Sequence, residues 1–279
     1  MRDFPRSARS PLVILLASLL LAACNRDGTT PAPAAPPPVA PAATAPGDAG
    51  PVALNDVIET TPRYIVGISY PEHAAAYPPL ARALQAYAEA ARGELMRAVG
   101  GLGGTRPPAP YDLSLQFSMV AETPRVVAVA ADGSSYTGGA HGLPLVERFV
   151  WLPQMQQMLA AEQLIPDAAN WQPVSAYVRE QLMTALSQQL DDDGLEGEVR
   201  ASQLELRSRM IADGTAPSPA KFARFEPVMN ADGSIRALRF VFPPYQVAPY
   251  VEGTRTVDVP ARVLVPLVAP AYKPLFRAG

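Results

Sequence analysis

The sequence of 279 residues has one cysteine and two histidines. A single thiol excludes an intramolecular disulfide and any cysteine-based zinc cluster. With only His73 and His141 available, a metal site would need carboxylates to complete it, and no HExxH stretch occurs. Neither a GxSxG elbow nor a GxxxxGK[ST] phosphate loop is present, so the usual hydrolase and nucleotide-binding signatures are missing. The glycine-rich "GGLGGTRPP" (100–108) lacks the Lys-Ser/Thr pair and reads as a flexible loop. Charge of one sign is also lacking. There are 23 Lys and Arg against 26 Asp and Glu, net −3, with no basic stripe, which argues against nucleic acid as a partner. The longest apolar run, "PLVILLASLLLAA" (11–23), falls short of the roughly 20 residues that a bilayer span requires.

That run has a different use. Arg2, Arg6 and Arg9 precede it, and it ends in Leu21-Ala22-Ala23-Cys24. The pattern resembles a bacterial lipobox, which implies a signal peptide over 1–23. Cys24 would then be the first residue of the exported chain, lipidated with diacylglycerol and palmitate and anchoring it to a membrane. Asn25 follows, where an Asp would favour inner-membrane retention, so the expected location is the outer membrane, facing the periplasm. Residues 24–51 are rich in Pro and Ala with no periodic apolar face, a semi-rigid tether.

Beyond the tether the pattern becomes that of a folded chain. "RYIVGISYP" (63–71) is β-rich, and 77–99 places Leu80, Leu84, Ala88, Ala91, Leu95 and Val99 on one helical face. "YDLSLQFSMV" (111–120) alternates as a half-buried strand, with "RVVAVAA" (125–131) and "LPLVERFVWL" (143–152) as further strands. Val174, Val178, Leu182 and Leu186 mark a second helix over 171–190, stopped by "DDDG". Two β-rich segments flank "ADG" (231–233) as a hairpin, and "TVDVP" begins a last strand. The tetrad "ADGS" at 131–134 and 231–234 reads as turn chemistry used twice. The expected fold class is α+β. It has antiparallel sheets, two main amphipathic helices and two closely packed subdomains, an N-terminal α+β domain over 52–200 and a β-rich domain over 201–279.

Three segments could carry function. "DDDGLEGE" (191–198) suggests a calcium loop, but the register puts Gln189 and Arg200 at the first and twelfth ligand positions. It reads as a solvated acidic turn. "SSYTGGAHG" (134–142) combines Tyr136, Gly138, Gly139 and His141: glycines that permit close approach, and a ring that can donate, accept or titrate. Its alternative is a tight connection in which His141 satisfies loop carbonyls. "FPPYQVAPYVEG" (242–253) sets Tyr245 and Tyr250 on a proline-stiffened frame, as contact residues or as caps on a sheet edge.

Together, Tyr136, Gly138, Gly139, Ala140 and His141 with Tyr245, Pro249, Tyr250 and Gly253 resemble a known domain pair. It is the extracellular region of the lysozyme-sensing anti-sigma factor family, whose first half also occurs beside peptidoglycan deacetylases. The resemblance spans roughly 63–268, and departs from the family where Gly142 and Leu143 follow the His. It implies a non-catalytic binding module for a lysozyme-like protein or for peptidoglycan, with Tyr136, Gly138, Gly139, His141, Tyr245 and Tyr250 at the ligand and no cofactor or metal. The rival expectations are a cell-wall hydrolase or deacetylase using His141 and carboxylates with a metal, and a purely structural envelope component.

Overall fold

A computed structural model describes residues 52–277, so the expected signal peptide (1–23), Cys24 and the tether (24–51) lie outside the described residues. The first sheet has six strands in chain order: β1 (Val57–Thr60), β2 (Tyr64–Ser69), β3 (Tyr111–Glu122), β4 (Val127–Tyr136), β5 (Leu143–Leu152) and β6 (Gln157–Met158). Every neighbouring pair is antiparallel except β2 and β3, which run parallel. A hairpin cannot join parallel neighbours, so the chain crosses between them through α1 (Pro78–Gly101). Pro78 and Pro79 suit the first helical turn, where no intrahelical N–H partner is lost. The predicted stripe from Leu80 to Val99 is buried against Val66, Leu113, Leu115, Phe117 and Phe149 of the sheet.

The second sheet is antiparallel, ordered β7 (Phe225–Met229), β8 (Ile235–Phe242) and β9 (Arg255–Pro260). Around it lie α2 (Ala161–Leu164), α3 (Trp171–Asp192), α4 (Gly197–Gly214) and α5 (Ala261–Leu264). The α+β class with antiparallel sheets thus holds, and α4 is a third main helix. Its burial is confined to Arg207, Ile211 and Gly214, too little to leave an apolar period in the sequence.

The first sheet divides two cores. Val127, Val129 and Ala131 of β4 face α1, whereas Ala128 and the preceding Val126 face the second core. On β5, Phe149 and Trp151 take the first side, Val150 and Leu152 the second. Burial on both faces is why these strands read as continuous apolar runs, where β3 alternates. The second core holds Val174, Val178, Leu182 and Leu186 of α3 together with Phe240, Phe242 and Val259. The apolar face of α3 thus shares one core with the second sheet and with Ala128, Val150 and Leu152 of the first.

The two copies of "ADGS" differ. The second forms the β7–β8 turn, with Gly233 at φ 77°. The first lies inside β4, where Gly133 pairs with Leu115, so the expected turn there is overturned. At Gly133 a Cβ would stand 2.0 Å from the Ser114 carbonyl oxygen, and that close approach accounts for the glycine.

A line of ion pairs ties the sheets together. Arg148 reaches Asp132 at 3.1 Å and Glu226 at 2.7 Å; Arg239 reaches Glu226 at 3.7 Å and Asp258 at 2.7 Å. Its central pair, Arg148 and Glu226, is only 8% and 12% exposed.

Candidate functional site

Residues 137–142 form the loop between β4 and β5, and 243–254 the loop between β8 and β9. In the first, Gly138 and Gly139 take φ of 99° and 104°, a region costly for other residues, and this lets the chain reverse after Tyr136. Tyr136 Oη donates to the Gly139 carbonyl at 3.3 Å. In the second, the Tyr245 N–H donates to Ala248 O at 2.9 Å and the Gln246 N–H to Pro243 O at 3.0 Å. Tyr245 itself has φ 71°, unusual for a residue with a side chain.

A side chain and a glycine anchor the second loop. Gln246 Nε2 donates to Gly214 O at 3.0 Å and to Lys221 O at 2.8 Å. At Gly214 a Cβ would fall 1.9 Å from the Gln246 carbonyl oxygen, so the end of α4 and the loop touch backbone to backbone.

This anchoring brings the two motifs into contact. His141 Nε2 lies 2.9 Å from Tyr245 Oη, and His141 Nδ1 lies 3.1 Å from Gly142 O. A carbonyl oxygen only accepts, so Nδ1 carries the hydrogen. In the neutral ring Nε2 then accepts from the Tyr245 hydroxyl. The His141 ring stacks on Tyr250 with centroids 4.2 Å apart and planes at 19°, while Tyr245 and Tyr250 stand 5.6 Å apart. Tyr136, Gly138 and Gly139 shape the first loop, and among the described residues Tyr136 makes no ring contact with the trio. The rings remain accessible: Tyr245 is 37% exposed, and the neighbouring Val251 is 90% exposed. The result is an exposed aromatic platform assembled from two loops.

The direct partners of His141 are a carbonyl, a phenol and a second phenol ring. Among the described residues no carboxylate touches it, and no group of three or more His, Cys, Asp or Glu is placed to hold a metal. No helix among them is long and apolar enough to cross a membrane. His73, the other histidine, sits apart and meets Glu122 at 3.1 Å. Hydrogen bonds from His73 and Tyr77 hold the Glu122 carboxyl below its ordinary value. The buried carboxylate of Glu147 sits on β5, where burial raises its pKa against the opposing pull of Arg224 and the Arg148 N–H.

Sequence reasoning missed the other side of the second loop. Glu252 turns inward to Arg207, 2.6 Å away, and also pairs with Arg255. The "VEG" stretch looks like ordinary surface loop, and Arg207 lies on a helix with no apolar signature.

Residues 164–262 match the family model described as "Protein of unknown function (DUF3298)". The match runs from the end of α2 into α5, and so takes in Tyr245 and Tyr250 but not His141. Among solved structures, the chain resembles a DUF3298 family protein from Pseudomonas aeruginosa PAO1. The identity is 16% and the TM-score 0.51, over 83% of this chain and 99% of that one. A DUF3298 family member from Bacteroides fragilis NCTC 9343 aligns at 14% identity and TM-score 0.42, over 78% of this chain and 93% of that one. No curated protein matches the sequence. At 16% identity the likeness to the Pseudomonas protein speaks for the fold alone. Residues 164–262 thus match the DUF3298 model, and the chain shares its fold with the Pseudomonas DUF3298 family protein.

Proposed function

We propose that this chain is a lipid-anchored protein of the bacterial cell envelope that binds a protein ligand without transforming it. The observation that carries this reading is the His141–Tyr245–Tyr250 platform, formed by loops 104 residues apart in sequence. Aromatic residues held rigidly by backbone hydrogen bonds lose little entropy on binding, and tyrosines of this kind dominate interface energetics. Val251 and the 36%-exposed Leu143 extend the apolar area beside the rings. Both nitrogens of His141 are engaged within the platform, which suits a presented surface better than a general base. The resemblance to the lysozyme-sensing anti-sigma factor region points to a lysozyme-like muramidase as the ligand. The lipobox-like segment ending at Cys24 supplies the anchor, and Asn25 favours the outer membrane.

Calorimetric titration with lysozyme-type muramidases, beside co-sedimentation with purified sacculi, tests the reading. A Tyr245→Ala/Tyr250→Ala double variant should bind at least about 30-fold more weakly, the loss of one interface hot spot of about 2 kcal/mol. Equal binding by that variant overturns the platform; capture by sacculi alone reassigns the ligand to peptidoglycan. Turnover of peptidoglycan by the purified chain, abolished by His141→Ala, would replace binding with catalysis. The anchor has its own test: mass spectrometry of the protein purified from membranes should find Cys24 as an acylated N-terminus.

A further inference from the structure

The segment from Val247 to Thr256, which carries Tyr250, also borders a cleft of about 240 Å3 against α3 and α4. Part of its lining is hydrocarbon: Leu182 and Leu186 of α3, Ile211 of α4 and Val247, all buried. The rest is polar. Arg207 Nη2 stands 2.6 Å from Glu252 Oε1 and 2.9 Å from Gln189 Oε1. Arg255 Nη2 holds the other Glu252 oxygen and lies 3.0 Å from the same Gln189 oxygen. Two guanidiniums thus share one carboxylate, and one positive charge is left over.

The surplus faces the opening. Arg207 and Glu252 are 9% and 10% exposed, whereas Arg255 is 36% exposed. A guanidinium offers donors only, so Gln189 must aim its oxygen at both arginines. Its amide N–H2 is left as a further donor, with no protein partner among the described residues. Thr254 and Thr256 also line the cleft. Donors and uncompensated positive charge beside a hydrocarbon wall make a receptor for an anion with an apolar body.

We propose that this cleft binds a small apolar monocarboxylate. The carboxylate pairs with Arg255 and the Gln189 amide, and the aliphatic or aromatic group lies along Leu182 and Leu186. The volume is below the ~300–1,000 Å3 of clefts that hold drug-sized ligands, and it limits the occupant to about one amino-acid unit. A free acylated amino acid and the C-terminal residue of a peptide share this chemistry.

Titration of the full chain with N-acetyl-leucine should give saturable binding. N-acetyl-leucinamide, the same body without the charge, should bind at least tenfold more weakly. The tripeptide Ala-Ala-Leu, with free and with amidated C-terminus, separates the two sources: binding of the free form alone assigns a chain end, and failure of both forms assigns a free small acid. Arg255→Gln should cut affinity tenfold or more. Ala185→Trp, at the exposed rim of the cleft and away from the charged set, should block entry while leaving the far-ultraviolet spectrum unchanged. Equal binding of acid and amide, absence of saturable binding by N-acetyl-leucine, or undiminished binding by Ala185→Trp overturns the proposal. Tyr245→Ala should leave this titration intact, so the cleft and the platform stand or fall separately.

Discussion

Tyr245 pays a conformational cost that its ring must justify. At φ 71° a residue with a Cβ is strained by about 1–3 kcal/mol, and glycine takes the same conformation freely. Tyr245→Gly should therefore unfold no more easily than wild type, despite losing a ring and its 2.9 Å hydrogen bond to His141, yet should lose the platform's ligand. Thermal melts and the muramidase titration, run side by side, check both halves. Glu147 offers a second residue-level test. Burial raises its carboxyl above the ordinary value, with Arg224 opposing. The folded chain therefore binds this proton more firmly than the unfolded one. The resulting stability is present below the unfolded pKa and is lost as the pH rises through the folded value. Glu147→Gln removes that loss, so its stability relative to wild type should improve in urea titrations as the pH rises from the ordinary carboxylate range through the raised folded value. Sequence reading reached Tyr136, Gly138, Gly139, His141, Tyr245 and Tyr250, because rare residue types stood beside glycines and prolines. It could not tell that three of them meet, since no local pattern encodes a contact between distant loops.

At the scale of elements, helices and strands were legible where burial is one-sided. The stripe of α1 and the alternation of β3 follow from a single buried face each. α4 was not legible, because a helix that buries Arg207, Ile211 and Gly214 has no stripe to read. Gly214 is where this element matters. Gly214→Ala would push a methyl into the Gln246 carbonyl, 1.9 Å from the added carbon, and must displace the loop. A loss of about 2 kcal/mol or more is expected by denaturation, with weakened platform binding, whereas Ala at the open Gly93 of α1 should be neutral or stabilising. The bond between the sheets makes a complementary case. Arg148→Met leaves Glu226 buried with only Arg239 near, at 3.7 Å, and should cost about 3 kcal/mol. Arg148→Met/Glu226→Leu should recover much of that, because no buried charge is left uncompensated; Asp132, the other partner of Arg148, is half exposed.

For the molecule as a whole, the two cores share β4 and β5, so neither can melt without stripping a face from the other. The chain's two tryptophans report on this directly: Trp151 lies in the first core and Trp171 in the second. Trp151→Phe and Trp171→Phe each leave one reporter, and their fluorescence transitions in urea should coincide with circular dichroism. Separated midpoints would mean independent units. The sequence suggests two subdomains because hairpins and helices fall into two blocks; that β4 and β5 contribute to both cores is a tertiary feature that no block pattern carries.

The pairing of imidazole and phenols across 104 residues has one more outcome. A peptide copied from either stretch would be blank, since each supplies only part of what a visitor touches. A protease cutting anywhere between Gly142 and Pro243 could silence the surface without removing a single group from it. Whatever docks there would inspect the integrity of the whole polypeptide at one point.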